Sequence, residues 1–119
     1  AVANLTWELF GPPSSVAPKE YVDLMRPRGK FSIYGLAAFS MGENTGQRGK
    51  YGVAYGHLGA TYGYQSLTAY MPELQVAITV ATNIETDQQR QPAEALCFAY
   101  NKAASLILER EIRCQFVDG

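Results

Sequence analysis

The chain reads as an α+β fold, an antiparallel sheet with a long C-terminal helix packed on one face. Three features predict it. Four runs with strand periodicity fill the middle, two short helix-like segments precede them, and one long amphipathic segment follows.

In chain order, Leu5, Trp7, Leu9 and Phe10 suit a short helix with Leu5 and Leu9 on one face, and Gly11 with Pro12 and Pro13 supplies its stop. Residues Ser14 to Glu20 form a loop into a second helix, because Pro18 is tolerated in a first turn and Glu20 complements the helix dipole. Its expected buried stripe is Tyr21, Leu24 and Met25, and Arg26-Pro27-Arg28-Gly29 ends it. Strands are then expected over 31–41, 51–58, 64–71 and 75–82, the first two joined as a hairpin by the polar, glycine-rich run Gly42 to Gly49. Pro72-Glu73 turns between the last two. Along the last strand Val76, Ile78 and Val80 take one face, while Ala77, Thr79 and Ala81 leave room on the other for a closely packed helix. The sheet is therefore expected to be covered on both faces. A helix over 88–110 follows, with Pro92 near its start and Leu96, Cys97, Tyr100, Ala104 and Ile107 at helical spacing.

At 119 residues the chain fits one domain, which could bury about 65% of its unfolded surface. Its net charge of −1, with both signs scattered, gives no footprint for nucleic acid or an anionic membrane. No run reaches the ~20 apolar residues of a membrane span; the longest, Val76 to Ala81, has strand length. Neither an initiating Met nor a signal peptide is visible, so the true start is expected to lie upstream. Cys97 and Cys114 form neither a Cys-x-x-Cys pair nor a ligand cluster with the single histidine, which argues against structural zinc; no metal or cofactor is expected. With no signal sequence to imply an oxidising compartment, both are expected to be free thiols.

The stretch from Tyr55 to Ser66 carries the most information. It holds the only histidine, His57, with Gly56, Gly59 and Gly63 around it, at the junction of two strand-like runs. Glycine at this density fits an open strand edge and a turn beside a cleft. A lone His-x-Gly triplet is most simply a satisfied histidine in a glycine-rich hairpin.

The longer run GHLGATYGYQSLTAYMPELQVAITVATN resembles the C-terminal part of the serine β-lactamase and penicillin-binding-protein superfamily. The branch is that of class C β-lactamases, D-alanyl-D-alanine carboxypeptidases and related esterases. There a Lys/His-x-Gly strand lines the active site and is followed by a turn, two more strands and a closing helix. The likeness continues upstream through Tyr34-Gly35-Leu36 and, more loosely, from about Leu5 to Leu108. It implies that residues 1–119 are a single C-terminal fragment of a β-lactamase-like domain, and it favours a periplasmic or secreted location.

The resemblance also assigns roles. His57 takes the catalytic, cationic position; Leu58, Gly59 and Ala60 bind substrate, with the Ala60 N–H helping to hold an oxyanion. Gly59 is expected because a side chain there would obstruct the substrate. Imidazole is only partly charged near neutrality, Leu58 stands where a hydroxyl residue is commoner, and Tyr62 stands where proline is frequent. These departures weaken a β-lactamase assignment and leave esterase, amidase or peptidase chemistry open. No serine of the chain has a lysine three residues on, and no Tyr-x-Asn occurs. The expected partner is therefore an N-terminal polypeptide carrying Ser-x-x-Lys, and the expected substrate a small ester, amide or peptide. Two alternatives stand beside this: a non-catalytic peptide-binding module that kept the sheet, and an unrelated small α+β domain.

Overall fold

The computed structural model describes residues 1–28, 33–41, 53–84, 90–111 and 114. Its elements are α1 (Val2–Phe10), α2 (Lys19–Met25), β1 (Phe39–Ser40), β2 (Tyr55–Thr61), β3 (Tyr64–Met71), β4 (Val76–Thr82) and α3 (Arg90–Leu108). The strands form one antiparallel meander in the order β1-β2-β3-β4.

Turn chemistry sets the register at the centre of this sheet. Tyr62 and Gly63 are the only residues between β2 and β3, with φ of 43° and 90°, the pair of positive values that a two-residue hairpin requires to match strand twist. The turn pins Thr61 opposite Tyr64 and, six residues back, Tyr55 opposite Tyr70. β2 therefore runs to Thr61 rather than stopping at Leu58, because Gly59 does not break the ladder; it pairs with Ser66. The fourth expected strand agrees to within a residue, and the third agrees throughout.

The first expected strand contracts most. Residues 31 and 32 lie outside the described residues, and within 33–41 the chain doubles back: Ala37 has φ of 60°, the Gly35 N–H donates to the Ala38 carbonyl, and Tyr34 bridges Phe39. Of the described residues in this range, only Phe39 and Ser40 continue into the sheet, opposite Gly56 and Tyr55. Aromatic content alone did not distinguish a long strand from a tight reversal with an aromatic on each arm. The expected connection over 42–49 lies outside the described residues.

Both faces of the sheet are covered. On one, Leu67 and Met71 of β3 and the branched residues of β4 pack against Leu96, Tyr100 and Ala104 of α3. On the other, Tyr70 and Ala77 meet Phe10 of α1 and Val22 of α2. The small-residue side of β4 is where α1 comes close: hydroxyls link Thr6 to Thr68 at 2.9 Å and Thr68 to Thr79 at 2.7 Å. The Thr6 hydroxyl donates its proton to the Val2 carbonyl at 2.9 Å, so it accepts from Thr68, and Thr68 in turn accepts from Thr79. Each of these three hydroxyls so has a partner, which a polar group in this position requires.

These contacts correct the expected helix faces. α1 buries Thr6 and Phe10, leaving Leu5 54% exposed, because the Thr6 hydroxyl is drawn to Thr68 and the helix rolls accordingly. α2 buries Val22, with Met25 partly covered, and turns Tyr21 and Leu24 outward. In α3 the stripe of Leu96, Cys97, Tyr100 and Ala104 is buried as expected, but Ile107 lies in the last turn and is exposed.

The cysteines are also corrected: Cys97 and Cys114 form a disulfide, with Cα atoms 5.8 Å apart. The chain leaves α3 through Glu109 in a left-handed conformation (φ 50°), and the Arg110 guanidinium then donates to the Glu73 carboxylate in the β3–β4 turn at 2.9 Å. That reversal brings Cys114 back to α3. A reading of residue spacing sees two distant cysteines and no reversal.

Candidate functional site

In an antiparallel ladder the N–H and C=O of one residue point to the same side, and successive residues alternate. The Met41 N–H donates to the Ala54 carbonyl at 2.8 Å, so Ala54 faces β1. By alternation Gly56, Leu58 and Ala60 turn their main-chain groups to that side, while His57 and Gly59 bond toward β3. β1 reaches only as far as Gly56. Beyond it, no described strand runs along this edge, and Leu58 and Ala60 direct donors and acceptors to it.

The side chains divide by the same alternation. His57 and Gly59 share the face of Tyr55, toward α1 and α2, whereas Leu58 and Ala60 lie on the α3 face. The four expected site residues are therefore contiguous along the edge but not on one side-chain surface. What they share is backbone.

His57 is exposed rather than part of the core. Its Nδ1 lies 2.6 Å from the Leu58 carbonyl oxygen, and its Nε2 lies 3.4 Å from the Tyr34 hydroxyl. The ring stands edge-on to Phe39 at 5.1 Å and to Tyr34 at 5.9 Å, while those two rings are 4.2 Å apart. The reversal at 33–40 thus builds an aromatic wall beside the imidazole. Sequence reasoning marked Tyr34 as part of a resemblance but gave neither it nor Phe39 a place at the site; the folding back that joins them to His57 has no periodic signature.

Gly59 is constrained across the ladder. A Cβ there would lie 2.8 Å from the Ser66 hydroxyl on β3, so the missing side chain also makes room for a cross-strand neighbour. Gly56 is constrained more tightly: its Cβ would fall 1.8 Å from the Thr68 carbonyl oxygen.

Charge near this face is concentrated on α2. The Arg26 guanidinium lies 4.6 Å over the Tyr55 ring, a cation–π contact, and 3.4 Å from the Asp23 carboxylate. The hydrogen bond from Lys19, helped by the charges of Lys19, Arg26 and Arg28, holds the Asp23 carboxyl below its ordinary value. Burial pushes the Tyr70 phenol up. Among the described residues, no helix is long and apolar enough to cross a membrane, and no three His, Cys, Asp or Glu residues gather as a metal site would require.

A scan against protein-family models matches none, and searches of curated proteins and of solved structures return no significant match. The arrangement itself defines a class of site: a strand edge able to accept an extended chain or a carbonyl, flanked by one imidazole in an aromatic setting.

Proposed function

We propose that this chain is the C-terminal part of a serine hydrolase that works through an acyl-enzyme, on an ester, amide or D-alanyl-type peptide bond. The observation that carries the reading is the β2 edge beyond Gly56, where Leu58 and Ala60 present main-chain groups beside His57. An extended substrate can add to such an edge as a further strand, and an outward N–H at Ala60 can stabilise a carbonyl oxygen as negative charge develops on it. His57 supplies proton transfer or a polar contact next to that edge. The nucleophile and its base come from a preceding segment or a partner chain bearing Ser-x-x-Lys, because these 119 residues contain no such motif.

The test has two arms. Purified alone, the chain is expected to hydrolyse p-nitrophenyl esters no faster than buffer, since loss of a nucleophile typically costs on the order of a millionfold in turnover. Used as bait, it is expected to retain a polypeptide containing Ser-x-x-Lys. That complex should turn over the esters, and a serine-directed fluorophosphonate should abolish the turnover. In the complex, His57→Ala should lower kcat/KM by roughly a hundredfold or more, yet shift the stability of the exposed site by no more than about 0.5 kcal/mol. Turnover by the isolated chain that His57→Ala removes would refute the division of the site. Stability loss with unchanged kinetics would return His57 to a purely structural role.

A further inference from the structure

The two nitrogens of His57 make different contacts, and one of them fixes the tautomer. A backbone carbonyl can only accept, so the 2.6 Å contact between Nδ1 and the Leu58 oxygen requires the proton to be on Nδ1. In the neutral ring Nε2 then carries the lone pair, and the group facing it at 3.4 Å is the Tyr34 hydroxyl, whose O–H can donate. Rotating the ring would exchange the nitrogens, but Phe39 and Tyr34 both stand edge-on against it. Tyr34 is in turn held by its tilted ring contact with Phe39, by the bridge between these residues, and by hydrogen bonds from Gly35 to Ala38 and from Ser40 to Ile33.

We propose that Tyr34 is a positioning residue for His57: with the Leu58 carbonyl, its hydroxyl holds the imidazole as the Nδ1–H tautomer and leaves Nε2 as a proton acceptor directed at a hydroxyl. In its neutral form the ring then accepts at its outer nitrogen, a role that a lysine ammonium at the same place cannot fill. This goes beyond the hydrolase reading and does not depend on it, since the tautomer belongs to the chain by itself.

The sequence has one histidine, so its ring nitrogens can be read without ambiguity. Long-range proton–nitrogen correlation spectra of the nitrogen-labelled 119-residue chain, recorded at alkaline pH where an ordinary imidazole is neutral, distinguish a protonated from an unprotonated ring nitrogen. The expected spectrum has a protonated Nδ1 and an unprotonated Nε2 displaced from its position in solvated imidazole by the hydrogen bond it accepts. Tyr34→Phe keeps the ring against Phe39 and removes only the hydroxyl. It should move Nε2 toward the solvated value and let the Nε2–H tautomer become populated. A proton on Nε2 in the native chain overturns the proposal, as does a Tyr34→Phe spectrum in which neither nitrogen moves. If that variant does not fold, the native spectrum still decides, because an Nε2 indistinguishable from solvated imidazole also overturns it. Absent ester turnover would leave this result unchanged, so the two readings fail separately.

Discussion

Two glycines of β2 lack side chains for different reasons, and alanine substitution separates them. At Gly56 an added Cβ would meet backbone of the paired strand: the Thr68 oxygen at 1.8 Å, the Thr68 carbonyl carbon at 2.8 Å and the Ala69 Cα at 3.0 Å. None of these can move without parting β2 from β3 at the point where β1 also pairs. Overpacking of a well-packed site costs about 1–3 kcal/mol and occasionally more, and a backbone obstacle puts Gly56→Ala at or above the upper end, about 3 kcal/mol. Against a total stability of roughly 5–15 kcal/mol, that is a large fraction. At Gly59 the sole obstacle within 4 Å among the described residues is the Ser66 hydroxyl at 2.8 Å, which can rotate away. Gly59→Ala should therefore cost less than about 1 kcal/mol, and Ser66→Ala in the same chain should remove most of that cost. Urea unfolding monitored by the far-ultraviolet signal, with the slope checked for constancy, measures all four species. Equal costs for Gly56→Ala and Gly59→Ala, or a Gly59→Ala penalty that persists with Ser66→Ala, would refute the reasoning.

Two further outcomes follow from the packing. Thiol titration of unfolded, unreduced protein should find no free cysteine, and Cys97→Ser/Cys114→Ser should lower stability by about 3 kcal/mol, the chain-entropy value for a bridge spanning 17 residues; two titratable thiols would contradict the bridge. Burial first, and the nearby Glu73 charge second, raise the Tyr100 phenol above 10.0, outweighing Arg110, and burial likewise raises Tyr70. A raised folded-state value means that stability is fully present below about pH 10 and is lost as pH rises through the folded values. Denaturation midpoints should thus fall across the alkaline range, less steeply in Tyr100→Phe, and a flat native profile to about pH 11 would sink the argument.

Legibility in the sequence tracked periodicity. β3, β4 and α3 could be placed because their patterns repeat over seven residues or more, and because the branched and small residues of β4 sort cleanly onto two faces. Short elements lost that advantage. In α1 and α2, nine and seven residues long, a shift of one residue selects another face, and α1 turns Thr6 and Phe10 inward, where Thr6 meets Thr68 and Phe10 joins Val22 and Tyr70. The candidate site divided in the same way. His57 was conspicuous as the only histidine and the strand edge could be inferred from its glycines, but Tyr34 and Phe39 reach it through a reversal at Ala37 that leaves no repeating trace. The contact that Gly59 makes across the ladder with the Ser66 hydroxyl is a matter of strand register, which the sequence pattern does not display.

The bridge between Cys97 and Cys114 makes the chain's history part of its structure. A polypeptide produced among reduced glutathione and thioredoxin keeps its thiols, whereas the same polypeptide passed through an oxidising environment closes the strap from α3 to the tail. Two preparations with identical sequence and mass, apart from two hydrogens, would then differ in how firmly the segment after Glu109 is tied to the helix and to Glu73. Measurements of stability or partner capture on this chain are comparable only between samples of known thiol state, and expression with and without an oxidative folding route becomes an experimental variable in its own right.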